Sequence, residues 1–170
     1  MDVVVGLGSN LGAREATLTA AVADLGQLGS ALRVSALYET DPVGPPQPSY
    51  LNAAVRLEVP GEPRVLLASL LDVERRYGRV RREKWGPRTL DLDILWIDGV
   101  SLTDPDLVVP HAALRERRFA LAPLLDVAPE ARHPVTGEAL GDWLRALPEV
   151  GIRLVAGAGW ARAKAAFLPL

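Results

Sequence analysis

Leu90-Asp91-Leu92-Asp93-Ile94-Leu95-Trp96-Ile97 is the stretch on which the fold turns. Apolar residues at 90, 92 and 94 alternate with aspartates at 91 and 93, the period-two pattern of a strand with one face in a core. Asp98-Gly99 then adds a hairpin signal. On such a strand Asp91 and Asp93 share the face opposite the core, roughly 6.5–7 Å apart along the chain. Side-by-side carboxylates repel each other and are poor strand formers. A bare Asp-x-Asp reads as a solvent-facing edge; the residues just before it change that reading. Arg75, Arg76, Arg79, Arg81, Arg82, Lys84 and Arg88 crowd the preceding segment of a chain whose net charge is only -2. A helix end facing solvent accounts for Arg75 and Arg76 through the helix dipole, but poorly for Arg81, Arg82 and Arg88. Hard cations such as magnesium take one or two carboxylates and leave the other positions to phosphate and water. Arginine forks match phosphate oxygens. An acid pair beside a cationic loop is therefore the inventory that phosphoryl transfer needs.

Working outward, Val3 to Leu7 is a short β-branched run ending in Gly6-Leu7-Gly8-Ser9-Asn10, read as a buried strand and a turn. Leu18, Ala21, Val22, Leu25 and Leu28 fall at helical spacing before Gly29. Val34, Ala36 and Tyr38 alternate as one strand, and Leu51 to Val59 is the next, stopped by Pro60-Gly61. Pro63 opens a second amphipathic helix that ends near Gly78. The order strand, helix, strand, strand, helix, strand, closed by Leu90–Ile97, is the ferredoxin-like split βαβ pattern. The expectation is an α+β fold, an antiparallel sheet with helices packed on it and long loops around the site. Arg118 to Leu125 and Leu140 to Leu147 read as short helices, Ile152 to Val155 as a late strand, and 156–170 as a loose tail. No repeat or linker interrupts the chain, so residues 1–170 are read as one domain.

Bulk properties narrow the possibilities. At 170 residues, with 49% hydrophobic and 24% charged, the composition is that of a soluble globular domain with room for one core. The net charge argues against a general polyanion binder, so any basic site is local. With no cysteine, thiolate chemistry and disulfides are excluded. No apolar run reaches the length of a membrane span, and the N-terminus lacks a basic n-region, so the expectation is a cytoplasmic protein without membrane contact.

Other segments are weaker signals. Gly6-Leu7-Gly8-Ser9-Asn10-Leu11-Gly12 lacks the spacing of a dinucleotide fingerprint and reads as a tight turn with Ser9 or Asn10 starting the helix. The proline-rich loop from Thr40 ends in Tyr50 and Asn52, a stacking face and a donor–acceptor pair. His111 and His133 have no role in the sequence taken alone.

Together these segments resemble the 6-hydroxymethyl-7,8-dihydropterin pyrophosphokinases of folate synthesis. The resemblance rests on Gly8-Ser9-Asn10-Leu11, Val43-Gly44-Pro45, Gln47 to Val55, Gly78-Arg79-Val80-Arg81, Trp85 to Ile94, Val109-Pro110-His111 and Arg117-Arg118-Phe119. It implies ATP as diphosphate donor, AMP as product, two Mg²⁺ ions and a monomer acting without nucleic acid. Asp91 and Asp93 match metal ligands. Tyr50 and Phe119 match the rings that sandwich the pterin, Asn52 a residue that hydrogen-bonds it, and Thr40 and Val43 the walls of its pocket. Arg81 and Arg88 match phosphate-facing arginines, with Trp85 between them. Gln47, Glu74, Ile94, His111 and Arg117 match nucleotide-site positions. Ala112, Asp106 and Val108 depart from residues common in relatives near the nucleotide. Two rivals are an RNA-binding module, disfavoured by the acidic pI and the aspartates, and an inactive relative acting as sensor, disfavoured by the intact Asp91, Asp93, Arg81 and Arg88.

Overall fold

In a computed structural model, residues 1–78 and 89–165 are described. Their order is β1 (Asp2–Ser9), α1 (Arg14–Gly26), β2 (Ser30–Val34), β3 (Leu37–Thr40), β4 (Tyr50–Glu58), α2 (Pro63–Arg76), β5 (Asp91–Ile97), β6 (Leu102–Asp104), β7 (Leu107–Val109), a 3₁₀ turn at Leu114–Glu116, α3 (Arg118–Val127), α4 (Leu140–Ala146), β8 (Ile152–Ala156) and α5 (Trp160–Ala165). The main sheet runs β5-β1-β4-β3-β8, with β2 also paired to β4. All of its pairings are antiparallel. Because β4 lies between β1 and β2/β3, the first strand–helix–strand unit is split as expected, and the α+β ferredoxin-like arrangement holds.

Alternation along β1 sends its side chains into two cores. Val3, Val5 and Leu7, with Leu92, Ile94 and Ile97 of β5, pack against Leu18, Ala21, Val22 and Leu25 of α1 and Leu66, Leu70 and Val73 of α2. On the other face Val4, Ala54, Leu95 and Trp96 pack against Leu121, Leu124 and Val127 of α3 and Leu140 and Trp143 of α4. Leu95 and Trp96 share a face because the β1–β5 register jumps from Val4↔Trp96 to Val5↔Ile94, leaving Leu95 as a bulge. Below the bulge the alternation is undisturbed. Leu90, Leu92 and Ile94 go to the core, and Asp91 and Asp93 go to the opposite face.

Four expectations need correction. The strand read over Val34–Tyr38 is two strands, because buried Ser35 interrupts it: its Oγ takes the Ala54 N–H at 2.8 Å. Ser9 belongs to β1, and Asn10 does not start α1, whose N-cap is Ala13 without a side-chain hydrogen bond. Asp98-Gly99 makes a turn but not a hairpin, since β6 pairs with β7 and not with β5. The tail is not loose through residue 165: α5 packs on α1, with Trp160 only 5% exposed.

Candidate active site

A cleft of about 420 Å³ opens at the end of the sheet where β1, β4 and β5 emerge from under α3. Register fixes its floor. Gly8 of β1 lies opposite Asp91 on one side and Asn52 on the other, and Gly6 lies opposite Asp93 and Ala54. Directly opposed residues share a face, so Asp91, Gly8 and Asn52 form one row across three strands, about 10 Å from end to end. Gly8 keeps that row open: a Cβ there would stand 2.9 Å from Asn52 Oδ1 and 3.4 Å from Tyr50 Cδ1. The two glycines that read as a turn are thus strand residues whose missing side chains make the floor.

Each end of the row is fastened. At the β4 end, Asn52 Nδ2 donates to Thr40 Oγ1 at 2.5 Å. Tyr50 stands two residues before Asn52 on the same face, paired with Thr40. Buried Asn10 donates through Nδ2 to Gln47 Oε1 at 2.9 Å and to Pro48 O at 3.0 Å, fixing the proline loop just ahead of Tyr50. Arg14 adds a bond to Ser49 O at 2.9 Å. At the β5 end, the Glu74 carboxylate reaches over from α2 and accepts the Leu92 N–H at 2.8 Å.

The third wall carries His111, Arg117 and Phe119. His111 is hooked to the bulge by its N–H to Leu95 O at 2.9 Å, and its Nδ1 accepts the Ala113 N–H at 3.2 Å. That bond assigns the neutral tautomer, with the proton on Nε2. Burial first, and then the Arg117 charge, push the imidazole below its ordinary pKa, with Asp91 opposing. The Arg117 guanidinium lies over the Phe119 ring, 5.6 Å from its centre.

Thr40, Val43, Tyr50, Asn52, Glu74, Asp91, Asp93, His111, Arg117 and Phe119 therefore meet on one cleft. Gln47 sits behind its wall as a tether. Ile94 is 4% exposed in the core and presents no side chain to the cleft. Arg81, Trp85 and Arg88 lie outside the described residues. Sequence reading missed Gly6, Gly8, Leu67 and Leu71, all of which line the cleft. The available signal for the leucines was a second apolar stripe on α2, offset by one residue from the core stripe Leu66, Leu70 and Val73.

The wall is rich in acids. Asp41, Glu74, Asp91, Asp93 and Asp106 line it, and among the described residues lining it Arg117 is the one arginine or lysine. Two neighbouring carboxylates facing the cleft are a donor set suited to a hard divalent cation.

The family model for 7,8-dihydro-6-hydroxymethylpterin-pyrophosphokinase (HPPK) matches residues 4–129. The chain belongs to this family. Every residue lining the cleft falls inside the HPPK match, whereas α4, β8 and α5 follow it. The 2-amino-4-hydroxy-6-hydroxymethyldihydropteridine pyrophosphokinase of Pseudomonas aeruginosa is 42% identical over 159 residues, 92% of this chain and 98% of that one. That of Synechocystis is 41% identical over 139 residues, 81% of this chain and 71% of that one. Among solved structures, an HPPK-DHPS in complex with substrates superposes with a TM-score of 0.67 at 14% identity, over 85% of this chain and 45% of that one. A triple mutant of Plasmodium falciparum HPPK-DHPS with pteroate gives 0.65 at 16%, over 85% and 42%. These likenesses establish the HPPK fold; the chain spans less than half the length of those two structures.

Proposed function

We propose that this protein transfers the diphosphate of ATP to the hydroxymethyl group of 6-hydroxymethyl-7,8-dihydropterin, releasing AMP, as a step of folate biosynthesis. The observation that carries the reading is that the rows Asp91–Gly8–Asn52 and Asp93–Gly6–Ala54 bring the acid pair and the Asn52 amide onto one open floor. The pterin lies at the Asn52 end. The amide offers a donor and an acceptor to its edge, Tyr50 and Phe119 supply its stacking faces, and Thr40 and Val43 close its pocket. The nucleotide lies along Glu74, His111 and Arg117, with the neutral His111 presenting Nε2–H as a donor.

Asp91 and Asp93 would hold magnesium, two ions in the full reading, which when bound neutralises charge on the phosphate oxygens. The protein's own part is positioning. The floor brings the hydroxymethyl oxygen into line with the β-phosphorus, and Arg117, Arg81 and Arg88 draw charge from the phosphates. Trp85 lies between Arg81 and Arg88 in the sequence. Among the described residues no helix is long and apolar enough to cross a membrane. A cytoplasmic monomer acting on small molecules, without nucleic acid, completes the proposal.

The test is AMP release from ATP and magnesium with and without 6-hydroxymethyl-7,8-dihydropterin. Release that depends on the pterin is expected, and Asp93→Asn should lower it by about a hundredfold or more without a change in melting temperature. Pterin-independent release, or full activity in Asp93→Asn, would sink the reading.

A further inference from the structure

The proline loop between β3 and β4 carries Val43 into the cleft, and it is flanked by Thr40 and Tyr50, which pair with each other. Its two ends are held from behind the sheet. Opposed residues share a face, so Glu39 lies in one row with Leu51 of β4 and Arg153 of β8. Leu51 points into the core beneath α1, so this row faces away from Thr40, Tyr50 and Asn52. Arg14, Glu39, Ser49 and Arg153 do not line the cleft.

Glu39 is the hub on this side. Arg14, the first residue of α1, donates through Nη2 to Glu39 Oε2 at 3.0 Å. Through Nη1 it donates to Ser49 O at 2.9 Å and to Ser49 Oγ at 3.2 Å. Arg153 donates to the other oxygen of Glu39. One guanidinium thus bridges the residue before Thr40 and the residue before Tyr50. The start of the loop is tied as well, because the Asp41 N–H donates to Gly151 O at 2.9 Å.

The two arginines are unequal partners. Arg14 and Glu39 are 29% and 20% exposed at their side chains, whereas Arg153 is 70% exposed. Solvent screens an exposed pair, which then contributes little. The sheltered fork of Arg14 is the effective clamp. It grips the carbonyl of the planar Ser49–Tyr50 peptide, and tilting that plane moves the Tyr50 ring. Glu74, His111 and Arg117 come instead from α2 and from the segment between β7 and α3.

We propose that Arg14 is a positioning residue for the pterin, acting through Ser49 and Glu39 on Tyr50 and Thr40. The proposal rests on the reading of the Tyr50–Asn52 end of the cleft as the pterin site. Its consequence is an effect on pterin affinity that leaves the nucleotide end untouched.

The experiment measures binding to the full-length protein by titration calorimetry. The ligands are 6-hydroxymethyl-7,8-dihydropterin, with magnesium and a non-hydrolysable ATP analogue present, and that analogue alone. Arg14→Ala should weaken pterin binding by about tenfold, the scale of a hydrogen bond to a charged group, and change nucleotide affinity by no more than about twofold. Arg14→Lys should recover part of the loss, since an ammonium keeps the charge without the fork. Glu39→Ala should weaken pterin binding less, because Arg14 still holds Ser49. The double variant should lose less than the product of the two single losses, because both remove the same Arg14–Glu39 bond. An Arg14→Ala protein with a lower melting temperature and unchanged pterin affinity overturns the proposal. So does an equal loss of pterin and nucleotide, or single losses that simply multiply. A wild type that binds the nucleotide analogue but no pterin would instead remove the functional reading on which the proposal stands.

Discussion

Glu74 accepts the main-chain N–H of Leu92, the residue between the two aspartates, at 2.8 Å. β5 ends the path of the main sheet, and an end strand presents backbone groups that need partners. A buried carboxylate from α2, 2% exposed, supplies one there and thereby sets the strand that carries Asp91 and Asp93. Glu74→Ala should leave the Leu92 N–H buried without that acceptor and cost about 1–3 kcal/mol of stability. It should also lower kcat. Glu74→Gln keeps an acceptor oxygen and should recover most of the stability. Urea denaturation of the two variants checks this, and equal losses in both would show that the charge, and not the bond to Leu92, is what matters.

Gly8 is the position at which the floor tolerates least. A methyl group there meets Asn52 Oδ1 at 2.9 Å, and Asn52 cannot swing aside without giving up its bond to Thr40. Gly8→Ala should therefore keep the fold and weaken pterin binding by about tenfold or more, measured by titration calorimetry. Gly6→Ala meets Leu95 Cδ1 at 3.0 Å, the end of a flexible side chain, and should affect pterin affinity less. Unchanged affinity in Gly8→Ala would contradict the placement of the pterin on this row.

His111 should give the ligand-free protein a pH-dependent stability. Its pKa is depressed below the ordinary 6.5, by burial first and Arg117 second. As pH falls from that value the unfolded chain takes up the proton before the folded one, so stability is full above it and is lost as pH drops toward the folded pKa. His111→Asn retains an acceptor for the Ala113 N–H but does not titrate. Melting temperatures across pH 5–8, roughly the range in which histidine charge changes, should show the wild type losing ground to this variant only on the acid side. Parallel curves would refute the assignment.

Local pattern carried much of the fold. Period-two alternation in Leu90–Ile94 placed Asp91 and Asp93 on a common face and their neighbours in the core, because one strand determines both. What depends on register between distant strands was not legible. Gly6 and Gly8 read as a turn because glycine most often serves there. Their role as floor appears only once Gly8 is paired with both Asn52 and Asp91, residues more than forty and eighty positions away. Ser35 ended one strand and began another through a single Oγ bond to Ala54, which no spacing rule announces. Tyr50, Asn52 and Phe119 carried little weight as isolated residues. The resemblance gathered them, and the cleft brings them together.

The C-terminal segment gives the sharpest departure from sequence reading, and a direct test. An alanine-rich end with little patterning looks dispensable, yet Trp160 is buried against the α1 side of the sheet and its Nε1 donates to Ser35 O at 2.9 Å. That carbonyl lies at the break between β2 and β3, so α5 closes the gap where the strand leaves its ladder. Trp160→Ala removes a large buried ring and leaves a polar carbonyl without its donor. It should cost about 3–5 kcal/mol, the usual range for truncating a buried aromatic. Trp160→Phe fills most of the volume without the N–H, so its smaller loss isolates the hydrogen bond at about 1 kcal/mol. Denaturant unfolding of both variants reads the two contributions separately, and a Trp160→Ala protein as stable as the wild type would return residues 157–165 to the loose tail that the sequence suggested.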